Sequence, residues 1–386
     1  MNNFEFHNPT KIYFGKGEVD KLGGLVKEIG NKVLLVYGKS SIKRIGLYDK
    51  VIKQLSDNEI EVFELSGVDP NPRISTVREG QRLCQKHNID LVLAVGGGSV
   101  IDCSKAIGLA AKYDGDPWDI YSYKYNPTDG VPVASILTLS ATGSEMNRGS
   151  VISNPETEDK NGFGSMFSYP VFSILDPENT FSVSKYQTGC GIVDTLTHVY
   201  ELYFSKDVNH LNDRICEAIM KTVVHYGPIA LEDPTNYEAR ANLMFGSTLA
   251  LNGLTGFGKT WEGFNHTTEH VLSAFWDIAH GAGLAVTGAN WMKFVLDESN
   301  VQKFYEFAVN VWGVHPGEDK MSVAKEGIEK VWEFYKSIGM PLTLKEVGIV
   351  NPDLEKVSAQ ATRYGNIGNF RELSKEDVKT ILSNAL

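Results

Sequence analysis

Two stretches of this chain hold side chains whose types and spacing suit metal chemistry. Asp194 and His198 stand four residues apart, His266 and His270 repeat that interval, and His280 follows. On an α-helix, residues i and i+4 share a face one turn apart, so each pair would present two donors side by side. Imidazole with carboxylate suits one divalent metal, Fe(II) or Zn(II), and the donor types do not choose between them. A lone D-x-x-x-H is common by chance, and a single histidine on an apolar helix face is more often a core residue. Two such pairs joined by His280 shift the balance towards a metal. The other histidines (His7, His87, His210, His225 and His315) lack such neighbours and read as structural. Residues 266–270 also spell H-x-x-E-H, in which Glu269 would be the base of a zinc metallohydrolase; that is the alternative reading.

A second cluster lies far upstream. Gly96-Gly97-Gly98-Ser99 follows a strand-like run and opens a helical pattern. Glycines at such a turn let backbone approach a phosphate, the helix N-terminus favours negative charge, and Ser99 could cap the helix. The plainer reading is a tight turn needing positive φ. The G-x-G-x-x-G spacing of the usual dinucleotide fingerprint is absent. Gly38-Lys39-Ser40-Ser41 closes an earlier strand-like run, where enzymes preferring NAD tend to place an acid against the ribose 2′-hydroxyl. Small hydroxyls and cations there suit a 2′-phosphate instead, which favours NADP(H). Lys43 and Arg44 fit equally well as a solvated helix start. Thr138 and Thr142, in a small-residue loop after another strand, could hold pyrophosphate or the nicotinamide amide.

These residues need elements to position them. Lys32–Tyr37, Ile60–Leu65, Asp90–Val95 and Val131–Leu137 read as strands. Helical patterns near 48–57, 73–87 and 100–111 separate them, an order that predicts a parallel sheet covered by helices. After Asp176-Pro177 strand-like runs become scarce and amphipathic stretches take over, including 189–204, 211–226, 239–251 and 323–337. The expectation is an α/β dinucleotide-binding domain over residues 1–180 and an all-helical metal-binding and substrate domain over residues 181–386.

Composition excludes more than it identifies. The chain has 386 residues, 42% hydrophobic and 22% charged, enough for two cores. A formal net charge of -11 argues against a nucleic-acid partner. Four scattered cysteines without a C-x-x-C pair read as reduced thiols. The N-terminus lacks the pattern of a signal peptide and no apolar run reaches membrane-spanning length, so a cytoplasmic protein without membrane contact is expected.

Taken together, the motifs resemble the iron-containing (group III) alcohol dehydrogenases, most closely the NADPH-dependent butanol dehydrogenase branch. The resemblance spans nearly the whole chain. It rests on segments 8–17, 65–72, 96–105 and 140–147, on Asp194–His198, and on Glu269–Ala274, His280-Gly281 and Asn290-Trp291-Met292. It implies a dehydroquinate synthase-like architecture: an α/β domain with a Rossmann-like nucleotide site, then an all-α domain. Carried onto this sequence, it makes Asp194, His198, His266 and His280 the metal ligands and sets His270 beside them in a proton-handling role. Gly97, Gly98, Ser99 and Asp102 then fall in the dinucleotide site, Asn71 at the adenosine end and Lys160 near the cofactor ribose. Gly38 sits where NAD-preferring relatives carry an aspartate. The implied reaction interconverts primary alcohols and aldehydes, with butanol-like substrates, Phe264 and Trp291 walling the pocket, and a homodimer as the assembly. The sequence departs from the family pattern at Tyr169-Pro170, at Glu372 and around Trp261–Asn265.

Overall fold

The computed structural model describes residues 1–386. The chain divides into two units. One comprises His7–Val183 with Pro234–Thr248, and the other Met1–Phe6, Ser184–Asp233 and Leu249–Leu386. Helix Tyr237–Ala250 follows the expected boundary, yet up to Thr248 it belongs with the first unit. There Met244 joins a core cluster and Phe245 lies 5.6 Å from Phe14, ring centre to ring centre.

The first unit holds all eight strands: β1 (Lys11–Phe14), β2 (Lys32–Tyr37), β3 (Glu61–Leu65), β4 (Leu91–Gly96), β5 (Val133–Leu137), β6 (Gly149–Asn154), β7 (Asp159–Gly164) and β8 (Pro170–Leu175). Six of them pair in parallel in the order β1-β8-β5-β4-β2-β3, while β6 and β7 form an antiparallel hairpin. The apolar runs of β2 and β4 are continuous because helices cover both faces. Val33, Leu35, Leu91 and Leu93 pack with Leu47, Val51 and Leu55 of helix Leu47–Asp57. The alternate residues Leu34, Val36, Val92 and Ala94 pack with helices Ile74–His87 and Gly98–Ala110. Each fully buried Leu, Val or Ile contributes roughly 1.5–3 kcal/mol, so the central strands hold the unit more than the exposed edges do.

Strand order places the loops. From β2 the chain steps outward to β3, then returns to lay β4 on the opposite side of β2. Where the direction of winding reverses, the loops after the two strands diverge and leave a crevice at their C-terminal ends. Gly38 follows β2 and Gly97 follows β4, so both glycine segments open at that crevice.

The second unit is helical, and none of the eight strands falls in it. Helix Lys185–Tyr203 starts earlier than the amphipathic pattern indicated. Ser184 caps it by accepting a hydrogen bond from Gln187 N at 3.2 Å. Phe204 ends this helix inside an aromatic cluster, 4.6 Å from Phe304, 5.2 Å from Phe307, 5.6 Å from Phe370 and 5.7 Å from Trp291. No helix of the chain is long and apolar enough to cross a membrane. All four cysteines are buried and free.

Candidate metal and nucleotide sites

Three helices of the second unit bring the metal candidates together. Helix Lys185–Tyr203 carries Asp194 and His198, helix Phe264–Trp276 carries His266 and His270, and helix His280–Val295 begins at His280. The close approach that brings His280 in depends on Gly281. A Cβ there would stand 2.2 Å from the Cys190 carbonyl oxygen, so only glycine lets this helix start lie against the first helix.

The donors converge on one carboxylate oxygen. Asp194 Oδ1 lies 3.5 Å from His198 Nε2, 3.7 Å from His266 Nε2 and 3.6 Å from His280 Nε2. These separations exceed hydrogen-bond lengths. They match the roughly 3.4 Å between neighbouring ligands of a tetrahedral ion with bonds of about 2.1 Å. Asp194 Oδ1 and His266 Nε2 are buried polar atoms with no hydrogen-bond partner, a costly arrangement that a cation would relieve. The donor set therefore fits a divalent metal. His270 borders this group. Its ring centre lies 5.7 Å from that of His280 and 6.3 Å from that of His266.

The electrostatics follow from burial and charge. Burial alone would push the Asp194 carboxyl up, but the facing imidazoles outweigh it and hold the group below the ordinary carboxylate range. Burial pushes His198 down to about 4 against the pull of Asp194. For His266 burial also works downward, yet Glu201 and Asp194 together raise it to about 10. The site thus gathers positive charge, and a divalent cation can supply that charge in place of a proton.

Two carboxylates brace the imidazoles: Glu201, which the sequence reading missed, and Glu269, which it considered only as a hydrolase base. Glu201 Oε2 lies 2.7 Å from His266 Nδ1, and Glu269 Oε2 bonds His280 Nδ1. Glu201 is three residues beyond His198 and seven beyond Asp194, on the same helix face, which is the signal that would have revealed it. Glu269 corrects the H-x-x-E-H reading. Its side chain is wholly buried and committed to His280 and Ser273, so it is not poised to activate a water as a peptidase base. Phe264 and Trp291 are likewise corrected as pocket walls. Neither has accessible surface, and Trp291 belongs to the aromatic cluster around Phe204.

In the first unit, the nucleotide candidates gather around the start of helix Gly98–Ala110. None of Gly96, Gly97 and Gly98 has positive φ, so left-handed backbone does not explain the glycines. Close approach does: a Cβ on Gly98 would stand 2.4 Å from Thr142. Gly97 is the N-cap, and Ser99 does not cap the helix as expected. Its hydroxyl donates instead to the Pro70 carbonyl, which ties the Asn71 loop to the helix start. Ser153 N donates to Pro72 O at 2.9 Å, and Lys160 pairs with Ser153 across the hairpin. Asn71 and Lys160 are thereby drawn into one neighbourhood.

Thr138 N donates to Gly96 O at 3.0 Å, and Thr142 Oγ1 accepts from Ser144 N at 3.1 Å. Asp102 accepts from Ser144 Oγ at 2.6 Å and from Val151 N at 2.9 Å, so it anchors the loop that carries Thr142. Lys105, wholly buried, donates to Ser144 Oγ, Asn147 Oδ1 and Gly149 O in the same loop.

After β2, a Cβ on Gly38 would find its nearest neighbour at 3.7 Å, so this position has room for a side chain. Ser40 and Ser41 are exposed. The Lys39 ammonium lies 3.3 Å from Asp69, whereas Lys43 sits over the Tyr37 and Tyr48 rings, away from the role of a phosphate ligand.

Comparison with known proteins agrees with this arrangement. The family model described as iron-containing alcohol dehydrogenase matches residues 9–177. The model for the C-terminal part of the Fe-containing alcohol dehydrogenase family matches residues 188–386. The chain is 47% identical over 388 residues to NADH-dependent butanol dehydrogenase A of Clostridium acetobutylicum, covering 100% of both chains. It is 36% identical over 372 residues to the NADPH-dependent aldehyde reductase YqhD of Escherichia coli, covering 95% of this chain and 94% of the relative. The crystal structure of NADH-dependent butanol dehydrogenase A from Thermotoga maritima superposes with a TM-score of 0.96 at 40% identity, covering 100% of this chain and 99% of that one.

Proposed function

This chain belongs to the iron-containing alcohol dehydrogenase family, and we propose that it reversibly reduces aldehydes to primary alcohols with a nicotinamide cofactor and one divalent metal. The observation that carries the reading is the convergence of three Nε2 atoms on Asp194 Oδ1 at 3.5–3.7 Å. Asp194, His198, His266 and His280 would hold the metal, Fe(II) or Zn(II). When bound, the metal supplies Lewis acidity towards the substrate oxygen, and the nicotinamide gives or takes the hydride.

The chain's own residues do the rest. Asp194 would set one negative charge against the bound cation and so moderate the cation's charge. The buried setting of Asp194, His198 and His266 excludes water and strengthens each electrostatic contact. His270, half-buried beside His280, would return a proton to the product oxygen through an imidazole nitrogen. Gly97, Gly98 and Ser99 open a helix start to the cofactor's phosphates, with Thr138, Thr142, Asn71 and Lys160 around it. Asp102 acts by holding the Thr142 loop in place.

For the cofactor's 2′ position we favour NADP(H), bound around Gly38, Lys39, Ser40 and Ser41. Room at Gly38 and the two exposed serine hydroxyls support this. A second reading, NAD(H), has support in the Lys39–Asp69 pair, which partly neutralises the lysine, and in the cofactor named for the relatives at 47% identity. Butanol-like substrates and a homodimer remain part of the proposal from the family resemblance.

The test follows NADPH and NADH oxidation by absorbance against a panel of aldehydes, with metal analysis on the same sample. The wild-type protein should reduce short aldehydes with stoichiometric metal, and His280→Ala should lose both metal and turnover. Full activity in metal-free His280→Ala protein would refute the mechanism.

A further inference from the structure

We propose that Glu201 and Glu269 are positioning residues of the metal centre: each buried carboxylate accepts a hydrogen bond from the Nδ1–H of one histidine and thereby presents that ring's Nε2 lone pair to the metal. The proposal rests on the metal reading above and adds what prepares the ligands.

Glu201 settles its own histidine's tautomer by elimination. Its carboxylate has no exposed surface and meets three nitrogen atoms. His266 N donates to Oε1 at 3.1 Å, Trp261 Nε1 donates to Oε2 at 2.6 Å, and His266 Nδ1 lies 2.7 Å from Oε2. A backbone amide and an indole N–H can only donate. With two obligatory donors already on this carboxylate, we read the third contact as N–H···O as well, with the proton on Nδ1. Nε2 of the same ring is then the atom that faces Asp194 Oδ1.

Glu269 repeats the arrangement. Its Oε1 accepts from the Ser273 hydroxyl and its Oε2 bonds His280 Nδ1, leaving His280 Nε2 towards Asp194. Space for this carboxylate comes from Gly283, where a Cβ would stand 2.7 Å from Glu269 Cγ. The two braces also lace the helices together. Glu201 reaches from helix Lys185–Tyr203 to helix Phe264–Trp276, and Glu269 from that helix to helix His280–Val295. Such carboxylate–histidine pairs fix ring orientation and raise the basicity of the ligating nitrogen, and their loss lowers metal affinity by about 10–100-fold.

The experiment measures Co(II) binding to the full-length protein by competition with a chromogenic chelator, together with the visible absorption of the bound Co(II). Glu269→Gln keeps an oxygen for His280 Nδ1, and the Ser273 hydroxyl can turn to accept from the new amide. It should fold, bind Co(II) about 10–100-fold more weakly and shift the absorption bands. Glu201→Gln puts an NH2 group against obligatory donors and should lose more affinity. If Glu201→Gln does not fold, Glu269→Gln decides the proposal by itself. Wild-type protein that binds no Co(II) would overturn the metal reading as a whole. Wild-type binding with equal affinity and an identical spectrum in Glu269→Gln would overturn this inference and leave the metal reading standing.

Discussion

Gly281→Ala should cripple the metal centre without touching a donor atom. The added Cβ would lie 2.2 Å from the Cys190 carbonyl oxygen and 2.6 Å from that residue's carbonyl carbon and Cα, whereas ordinary contact begins at 3.4 Å. All three neighbours are backbone atoms, so no side-chain rotation relieves the overlap. The helices Lys185–Tyr203 and His280–Val295 must part by about 1 Å, an overpacking strain of roughly 1–3 kcal/mol. That movement falls on His280, the adjacent residue, and on Asp194, one turn beyond Cys190. Their 3.6 Å separation would widen, and the four donors would no longer close on one ion. A misplacement of about 1 Å in a reacting geometry costs on the order of 100-fold in rate.

The assay purifies both proteins under limiting metal. It then measures metal by mass spectrometry, aldehyde reduction by nicotinamide absorbance, and stability by denaturant unfolding of the metal-free form. The variant should show far lower metal occupancy, a rate lower by about 100-fold and a loss of roughly 1–3 kcal/mol in stability. An alanine protein with wild-type metal content and rate would refute the argument that this helix contact sets the distance from His280 to Asp194.

Three further outcomes are expected. Gly38→Asp places a carboxylate where the nearest atom to its Cβ is 3.7 Å away, so it should fold normally and raise the NADH-to-NADPH ratio of kcat/KM; an unchanged ratio would show that the 2′ position lies elsewhere. Burial pushes Lys105 down to about 8 from 10.5. A base with a depressed folded pKa contributes stability that is present above its unfolded value and lost as pH falls through the folded one. Wild-type protein should therefore gain about 3 kcal/mol on Lys105→Met between pH 8 and pH 10.5 in urea unfolding, and parallel profiles would contradict this. His270→Ala should retain metal while aldehyde reduction slows by about 100-fold or more; loss of metal would instead make His270 a ligand.

Much of the first unit was legible in the sequence because its strands are buried on both faces. Lys32–Tyr37 is continuous apolar sequence, and the observed strand has those same limits. The long amphipathic helices of the second half were legible for the matching reason, since one face is apolar at helical spacing. Besides Pro170–Leu175, a buried strand whose apolar run is interrupted by a serine, the strands that escaped are those without either pattern. The edge strand Lys11–Phe14 is only partly buried, and the hairpin Gly149–Gly164 is rich in polar residues and glycine. Hydrogen bonds to Pro72 and Asp102, distant in the chain, tie it to the rest of the unit.

The same division runs through the site. The local sequence determined that Asp194 and His198 share one helix face, that His266 and His270 share another, and that glycines separate β4 from its helix, because spacing along a regular element is a local property. The pattern also contained Glu201, in register with both donors on its helix, though nothing local marked it as a partner of His266. Only the tertiary structure decided which histidines face Asp194. The separation of His280 from Asp194 is set by how closely two helices pack at Gly281, and the nitrogen that His266 and His280 present by the Glu201 and Glu269 carboxylates of neighbouring helices. Those are distances between elements far apart in the chain, and side-chain volume at the helix crossing fixes them.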